Sequence, residues 1–177
     1  SDEVEPLHVV DGTGDVLGCI RDNPPFRDKH DELAKGGPGD STYLQYDARC
    51  SEHALRWLAE HKDDEKPWAV FLNFVCPHPP YIAPPEIYEQ YAPEDVPLPP
   101  QWTPNTWPDH PAMDYFRRFF GFTDGLDEET VRRVTAAYYG TTTYLDQQIG
   151  KVLGALENND LTDSTRVLYS SDHGECL

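Results

Sequence analysis

Proline is concentrated in one segment of this chain, and that segment limits which regions can form regular structure. Of the 17 prolines in 177 residues, twelve fall between Pro77 and Pro111. Proline breaks helices and cannot donate a hydrogen bond to a sheet, so we expect a mainly irregular segment with one short helical turn in "PPEIYEQY". Its many aromatic rings need side chains to pack on, which argues against disorder. The regular elements must therefore come from the sequence on either side.

Two helices are predicted, one on each side of this loop. The first runs from about Thr42 to His61, where residues of one stripe recur at steps of three or four. That stripe contains Tyr46, Cys50, Ala54, Trp57, Leu58 and His61. The second begins at Asp127, a side chain suited to cap a helix, and continues to about Asn158. Gly140 lies inside it, which indicates close packing or a kink.

Two short apolar runs are predicted to be strands of one sheet. "WAVFLNFV" covers residues 68–75, and the second run covers Arg166–Ser170. Nearly continuous apolar runs are typical of strands that are covered on both faces, as in a parallel sheet flanked by helices. A strand, a helical crossover and a second strand form a βαβ unit. The fold class predicted is α/β, with a largely parallel sheet sandwiched between helices, and with residues 1–42 forming loops.

The charge balance argues against several classes of partner. The net charge is −18, which repels nucleic-acid phosphates and anionic lipid. No apolar stretch approaches the ~20 residues that span a bilayer. An anionic substrate would therefore need a local cation, either a metal ion or clustered basic side chains. The four cysteines form no CxxC pair. Cys50, on the apolar stripe of the first helix, and Cys76, after a strand-like run, are interpreted as buried free thiols, so nothing requires an oxidising compartment.

Three polar side chains follow the two predicted strands. His78 comes just after the first strand, and Asp172 and His173 come just after the second. Ligands of parallel α/β sheets bind outside the carboxyl ends of the strands. If the two strands are parallel neighbours, these three side chains converge at one edge of the sheet.

Each candidate also has a purely structural interpretation. Asp172 and His173 would provide half of a ligand set for Mn, Zn or Fe, whereas Ca more often has only oxygen ligands. Both side chains can face one ion only if the backbone turns sharply, and Gly174 permits such a turn. The alternative is a turn in which Asp172 accepts backbone N–H groups. A rigidly held His78 can bind an anion or protonate a leaving group, whereas the alternative is a loop histidine packed on Tyr81.

Three segments resemble the sulfatase family of the alkaline phosphatase superfamily, in the same order and at similar spacing. They are "KPWAVFLNFVCPHPPYIAPPEIYEQY", "AAYYGTTTYLDQQIGKVLGAL" and "RVLYSSDHGE". They look most like bacterial arylsulfatases, choline-sulfatase-like enzymes and phosphonate monoester hydrolases. The resemblance implies an alkaline phosphatase-like fold over residues 43–177 and hydrolysis of small-molecule sulfate or phosphate-type esters.

The resemblance also implies roles for the three candidates. Asp172 and His173 would bind a divalent metal ion (Ca, Mn or Mg), and His78 would contact the anionic group or the leaving oxygen. The family nucleophile is a formylglycine made from the Cys of a C-x-P-x-R segment, and none of the four cysteines begins that pattern. We therefore expect residues 1–177 to be the central segment of a longer catalytic domain, incomplete and inactive alone, with the nucleophile outside this chain.

Two further interpretations remain open. The first is a phosphodiesterase or phosphonate monoester hydrolase of the same superfamily, since both ester types are tetrahedral anions. The second is a non-catalytic binding module in which Asp172 caps a turn and the aromatic loop binds a partner. A fragment with exposed core surface is prone to associate, which leaves a homo-oligomer open. The sequence does not distinguish a cytoplasmic from a periplasmic location.

Overall fold

The computed structural model describes residues 29–174, so most of the predicted loop at residues 1–42 lies outside the described part. Two long helices dominate it, with short elements packed around them. In chain order, the elements are α1 His30–Leu33, β1 Gly37–Pro38, α2 Thr42–His61, β2 Ile82–Ala83, α3 Pro85–Tyr88, α4 Pro111–Phe120 and α5 Glu128–Asn158. Within this range, no helix has both the length and the apolar character that a membrane span requires.

Both long helices begin at the residues that the sequence predicts. Ser41 caps α2 by accepting the Leu44 N–H at 3.3 Å, and Asp127 caps α5 by accepting the Thr130 N–H at 2.8 Å. Each cap satisfies one of the backbone donors that a helix leaves unpaired at its start. The local sequence therefore determines where these two helices start.

The buried face of α2 differs from the predicted stripe. Ala54 and Leu58 are buried as expected, whereas Tyr46 and Cys50 are half-buried. The residues buried on this helix are Leu44, Asp47, Ser51, Ala54 and Leu58. They recur every three or four positions, so the helical period is correct and the face is rotated. The sequence pattern follows apolar letters, and it misses a buried face that contains two polar residues.

Helices α2 and α5 are joined by apolar packing and by two side-chain hydrogen bonds. The Tyr144 hydroxyl donates to the Leu44 carbonyl at 2.6 Å, and the Ser51 hydroxyl reaches the Gln148 carbonyl at 3.5 Å. Apolar packing and satisfied buried polar groups together hold two helices in one register. This pair of helices is the frame on which the rest of the described structure rests.

A small parallel sheet lies beside the first half of α5. Gly37 pairs with Ile82 and Pro38 pairs with Ala83. A Cβ at Gly140 would come within 2.7 Å of the Ala83 Cβ, so only glycine lets the helix approach this closely. The close packing predicted for Gly140 is therefore confirmed. The sheet itself was not predicted, because strands of two residues leave no periodic pattern.

The segment between the sheet and α5 is mainly irregular, as predicted. The helical turn expected in "PPEIYEQY" is α3, and two further single turns of 3₁₀-helix cover Pro93–Asp95 and Pro104–Thr106. The α4 helix was not predicted. Its first residue is Pro111, a favourable position for proline because the missing N–H has no helical partner there.

The predicted strands at residues 68–75 and 166–170 are wrong for the described structure, where neither segment has a hydrogen-bonded strand beside it. A strand needs a partner for its backbone groups, and the described residues supply none at either position. The described part is therefore helix-rich with one small parallel sheet. It contains only a portion of the predicted α/β arrangement.

The segment 68–75 is nevertheless largely extended. Trp68 packs on the cluster around Leu58, and Cys76 packs in the cluster around Leu44. Those two α2 residues lie about 21 Å apart along the helix, and eight residue steps reach at most about 29 Å. The segment therefore runs antiparallel to α2 with little slack.

Candidate active site

The first half of the candidate site begins where segment 68–75 meets α2. Asp47 is 0% exposed, and its carboxylate accepts the Val75 N–H at 2.8 Å and the Cys76 N–H at 2.9 Å. Burial raises the pKa of Asp47, and the two backbone donors oppose that rise. The carboxylate thus fixes the end of the extended segment to the helix.

His78 lies in the turn that follows. Its backbone N–H donates to the Val75 carbonyl at 2.9 Å. Its ring Nδ1 lies 2.6 Å from the Pro79 carbonyl, which can only accept, so Nδ1 carries the proton. Nε2 is then the ring nitrogen that carries the lone pair.

The His78 ring packs on α2. Its edge meets the Tyr43 ring, with centroids 5.7 Å apart at 84°, while the side chain stays exposed. Tyr81, the neighbour that the structural alternative proposed, is buried in a cluster with Val134 and Ala137. The ring is therefore supported by a neighbour on α2 that the sequence did not indicate.

The second half of the candidate site is exposed. The side chains of Asp172 and His173 are 89% and 68% exposed. The Asp172 Oδ1 accepts the His173 N–H at 3.0 Å, which is the contact that the turn interpretation expects. The His173 Nδ1 lies 3.0 Å from the Gly174 carbonyl, so this nitrogen donates and Nε2 keeps its lone pair.

These two side chains fit part of a metal shell. The Asp172 Oδ2 and the His173 Nε2 lie 3.8 Å apart. Two donors bound to one ion at ~2.1 Å lie about 3 to 4 Å apart, so this pair needs little movement to share an ion. Across residues 29–174, no group of three His, Cys, Asp or Glu side chains is arranged to hold a metal. The described chain therefore offers two ligands, fewer than a stable site requires.

The segment leading to Asp172 begins at the end of α5, as segment 68–75 does. Leu161 packs on Leu156, and Trp68 packs in the same cluster. Segment 68–75 then runs towards the middle of α5, where Cys76 packs with Tyr144. The residues just before Asp172 are exposed, with Leu168 92% exposed. Both segments thus start from the same end of α5.

One residue of this site was missed in the sequence. Asp47 is three residues after Leu44 and seven before Ala54, so it shares their helical face. An acidic residue on a face that is otherwise buried is the signal that could have revealed it, since buried carboxylates need specific partners.

Comparison with known proteins defines the class of protein. The family model described as Sulfatase matches residues 18–177. This range contains all three candidate residues, and it also includes residues before position 43. The chain belongs to the sulfatase family.

Several curated proteins resemble the chain. The multifunctional alkaline phosphatase superfamily protein PehA of Trinickia caryophylli is 35% identical over 78% of this chain and 28% of its own length. Choline-sulfatase of Rhizobium meliloti is 32% identical over 76% of the chain and 27% of its own length. Arylsulfatase of Clostridium perfringens is 31% identical over 71% of the chain and 27% of its own length. The chain thus spans about a quarter of the length of these curated relatives.

Proposed function

We propose that the complete protein containing this chain hydrolyses sulfate esters at a divalent-metal site, and that residues 1–177 are the central segment of its catalytic domain. The observation that carries this proposal is the sulfatase family match, which spans His78, Asp172 and His173. Both segments that lead to these residues start at the same end of α5, which supports their convergence at one cavity. Two relatives named as sulfatases support the ester type.

The three residues have distinct roles in this proposal. Asp172 and His173 would hold the metal through a carboxylate oxygen and the His173 Nε2, since the His173 Nδ1 donates to the Gly174 carbonyl. A divalent ion bound there would withdraw charge from the ester oxygens. His78 would place its Nε2 at the departing oxygen, because its Nδ1 is already committed to the Pro79 carbonyl. As the imidazolium, with a proton taken up on Nε2 from solvent, it would give that proton to the departing oxygen and return to the neutral ring.

The nucleophile comes from elsewhere in the protein. Cys76 is the cysteine nearest to His78, and burial, together with the adjacent Asp47 carboxylate, raises the pKa of its thiol. A protonated, buried thiol does not attack an ester. We therefore propose a nucleophile in a segment outside this sequence, as the sulfatase resemblance implies.

The exposed apolar surface supports the incomplete state of the chain. Phe71 is 87% exposed and Leu168 is 92% exposed, one on each of the two extended segments. Exposed apolar side chains on unpaired segments are the surface that neighbouring strands cover. We propose that other strands of the complete protein pair with both segments, and that this chain alone is inactive.

A phosphate-type ester is the second candidate substrate. PehA is described as a multifunctional member of the alkaline phosphatase superfamily, and its 35% identity is higher than that of either bacterial sulfatase above. A phosphodiester or phosphonate monoester has the same tetrahedral anionic centre. The described residues fit either substrate.

The test compares both ester classes on the complete protein with Mn²⁺ added. We expect faster turnover of 4-nitrophenyl sulfate than of bis(4-nitrophenyl) phosphate or a nitrophenyl phosphonate. Asp172→Asn should lower the rate by about 10³-fold or more and reduce bound metal, since several kcal/mol of charge stabilisation is lost. Asp163→Asn, at an exposed position of the same segment, is the matched control.

Faster phosphate turnover would establish the second candidate. Absence of turnover with every ester, or an Asp172→Asn variant with full activity and metal content, would contradict the proposal and favour a binding module.

A further inference from the structure

We propose that Asp47 is a positioning residue that sets the location of the His78 imidazole by holding the Val75 and Cys76 amides. This inference rests on the proposed function, because it assumes that His78 acts at the ester. It extends that function to a buried residue which does not touch the substrate.

Helix α2 contacts the His78 turn at two points. Tyr43 and Asp47 are four residues apart, so they lie on the same face of the helix one turn apart. Tyr43 packs on the His78 ring, and Asp47 holds the backbone immediately before it. Helix α2 thus fixes the imidazole in two ways. Tyr43 contacts the ring, and the Asp47 carboxylate binds the Val75 and Cys76 amides, a pair of hydrogen bonds that we call the clamp.

The clamp uses both oxygens of the carboxylate. Oδ1 accepts the Val75 N–H, and Oδ2 accepts the Cys76 N–H. Hydrogen bonds to an ionised acceptor are shorter and stronger than neutral ones. An asparagine side chain has one acceptor oxygen, so its NH₂ group would face one of these two donors. The two consecutive amides are therefore matched to a carboxylate.

The clamp is directly connected to His78. The Val75 carbonyl accepts the His78 N–H at 2.9 Å, which closes the turn on the same residue that Asp47 holds. A shift of the Val75 backbone therefore moves His78. Misplacement of a catalytic group by about 1 Å can lower a rate by about 100-fold.

A carboxylate buried at this position has a cost in stability and also a structural use. Burial raises the pKa of Asp47 despite its two backbone donors, so the ionised group is costly there. The two amide hydrogen bonds offset that cost, because an apolar side chain would leave both amides unpaired. The same two bonds fix the backbone just before His78.

Helix α2 is itself held in place. The Tyr144 hydroxyl donates to the Leu44 carbonyl, and Ser51 reaches the Gln148 carbonyl, both from the face that carries Asp47. The position of His78 is therefore set by the α2–α5 helix pair and not by the loop alone.

The first test measures kinetics in the complete protein. Asp47→Asn should lower kcat for an aryl sulfate at least about tenfold with little change in KM, and the loss should grow with poorer leaving groups. In a His78→Ala background, Asp47→Asn should have almost no further effect, because the group that it positions is gone. Glu52→Gln, the same carboxylate-to-amide change at an exposed position of α2, is the matched control and should change kcat less than twofold.

The second test does not depend on activity. Selective labelling of histidine rings allows the His78 signal to be assigned by its loss in His78→Gln. We expect Asp47→Asn to shift this signal and to speed hydrogen exchange at the Val75 and Cys76 amides about tenfold. Glu52→Gln should change neither measurement.

If Asp47→Asn fails to fold, Asp47→Glu provides the same test. It keeps the charge and lengthens the side chain, so it should move the His78 signal and lower kcat by a smaller factor. Additive kinetic effects in the double variant, or an unchanged His78 signal, would overturn the inference. A complete protein without sulfatase activity, but with the expected His78 shift, would reject only the proposed reaction and keep the positioning role.

Discussion

The two halves of the candidate site are supported very differently. His78 follows a backbone that the buried Asp47 clamps to α2, and its ring packs on Tyr43. Asp172 and His173 are mostly exposed and bond to each other and to Gly174. The two long helices therefore build one half of the site by themselves. In our proposal, the other half depends on strands that the described residues do not include.

The largest effect is expected from Leu168→Asp, which tests whether neighbouring strands cover the segment that leads to Asp172. In the complete protein, Leu168→Asp should lower the free energy of unfolding by about 3 kcal/mol or more, because a charge would be buried between neighbouring strands. Chemical or thermal unfolding measures the loss. Glu60→Gln, on an exposed part of α2, is the control and should change stability by less than about 0.5 kcal/mol.

A small effect of Leu168→Asp would break the comparison. It would show that this side chain, 92% exposed in the described structure, stays exposed in the complete protein. The segment would then need no covering strand.

Two glycine-to-alanine substitutions in α5 are expected to change stability in opposite directions, which shows which parts of this helix are closely packed. Gly140→Ala should destabilise the protein by about 1–2 kcal/mol, because its Cβ would lie 2.7 Å from the Ala83 Cβ, and this overlap outweighs the helix preference of alanine. Gly150→Ala should stabilise it by about 0.5–1 kcal/mol, since no described atom lies within 4 Å of the new carbon. Paired unfolding curves measure both changes.

The sign at Gly150 is informative in either direction. Stabilisation means that this part of α5 stays open in the complete protein. Destabilisation would mean that the covering strands press on the helix there. A stabilising Gly140→Ala would contradict the packing of the small sheet.

The mildest test needs no substitution and compares the reactivity of the two described cysteines, Cys50 and Cys76. Burial raises the pKa of both thiols, and Asp47 raises that of Cys76 further. Cys76 is buried and Cys50 is half-buried. Iodoacetamide at pH 8 should therefore modify Cys76 at least about tenfold more slowly than Cys50, as peptide mass mapping would show. Equal rates would mean that the end of segment 68–75 is open to solvent.

The sequence predicted the elements whose cause is local. The start of α2, the cap at Asp127 and the short turn after the first prolines each depend on neighbouring residues, and all three are confirmed. Gly140 was predicted as a packing position, and Ala83 explains why. Local rules of capping and periodicity were sufficient for these features.

The remaining features depend on distant contacts. The β1–β2 sheet pairs two-residue segments about 45 residues apart in sequence, and neither segment has a strand pattern. Asp47 was missed because its partners are backbone amides, which leave no mark in the sequence. The runs at 68–75 and 166–170 have a strand composition, but a sheet also requires neighbours that composition cannot supply.

The convergence of the two halves is the central claim, and a crystal structure of the complete protein with bound Mn²⁺ tests it most directly. Anomalous scattering locates the ion. We predict Asp172 and His173 among its ligands, with the His78 ring facing the same cavity. A metal bound elsewhere, or a His78 ring on the opposite side of the molecule, would contradict the account.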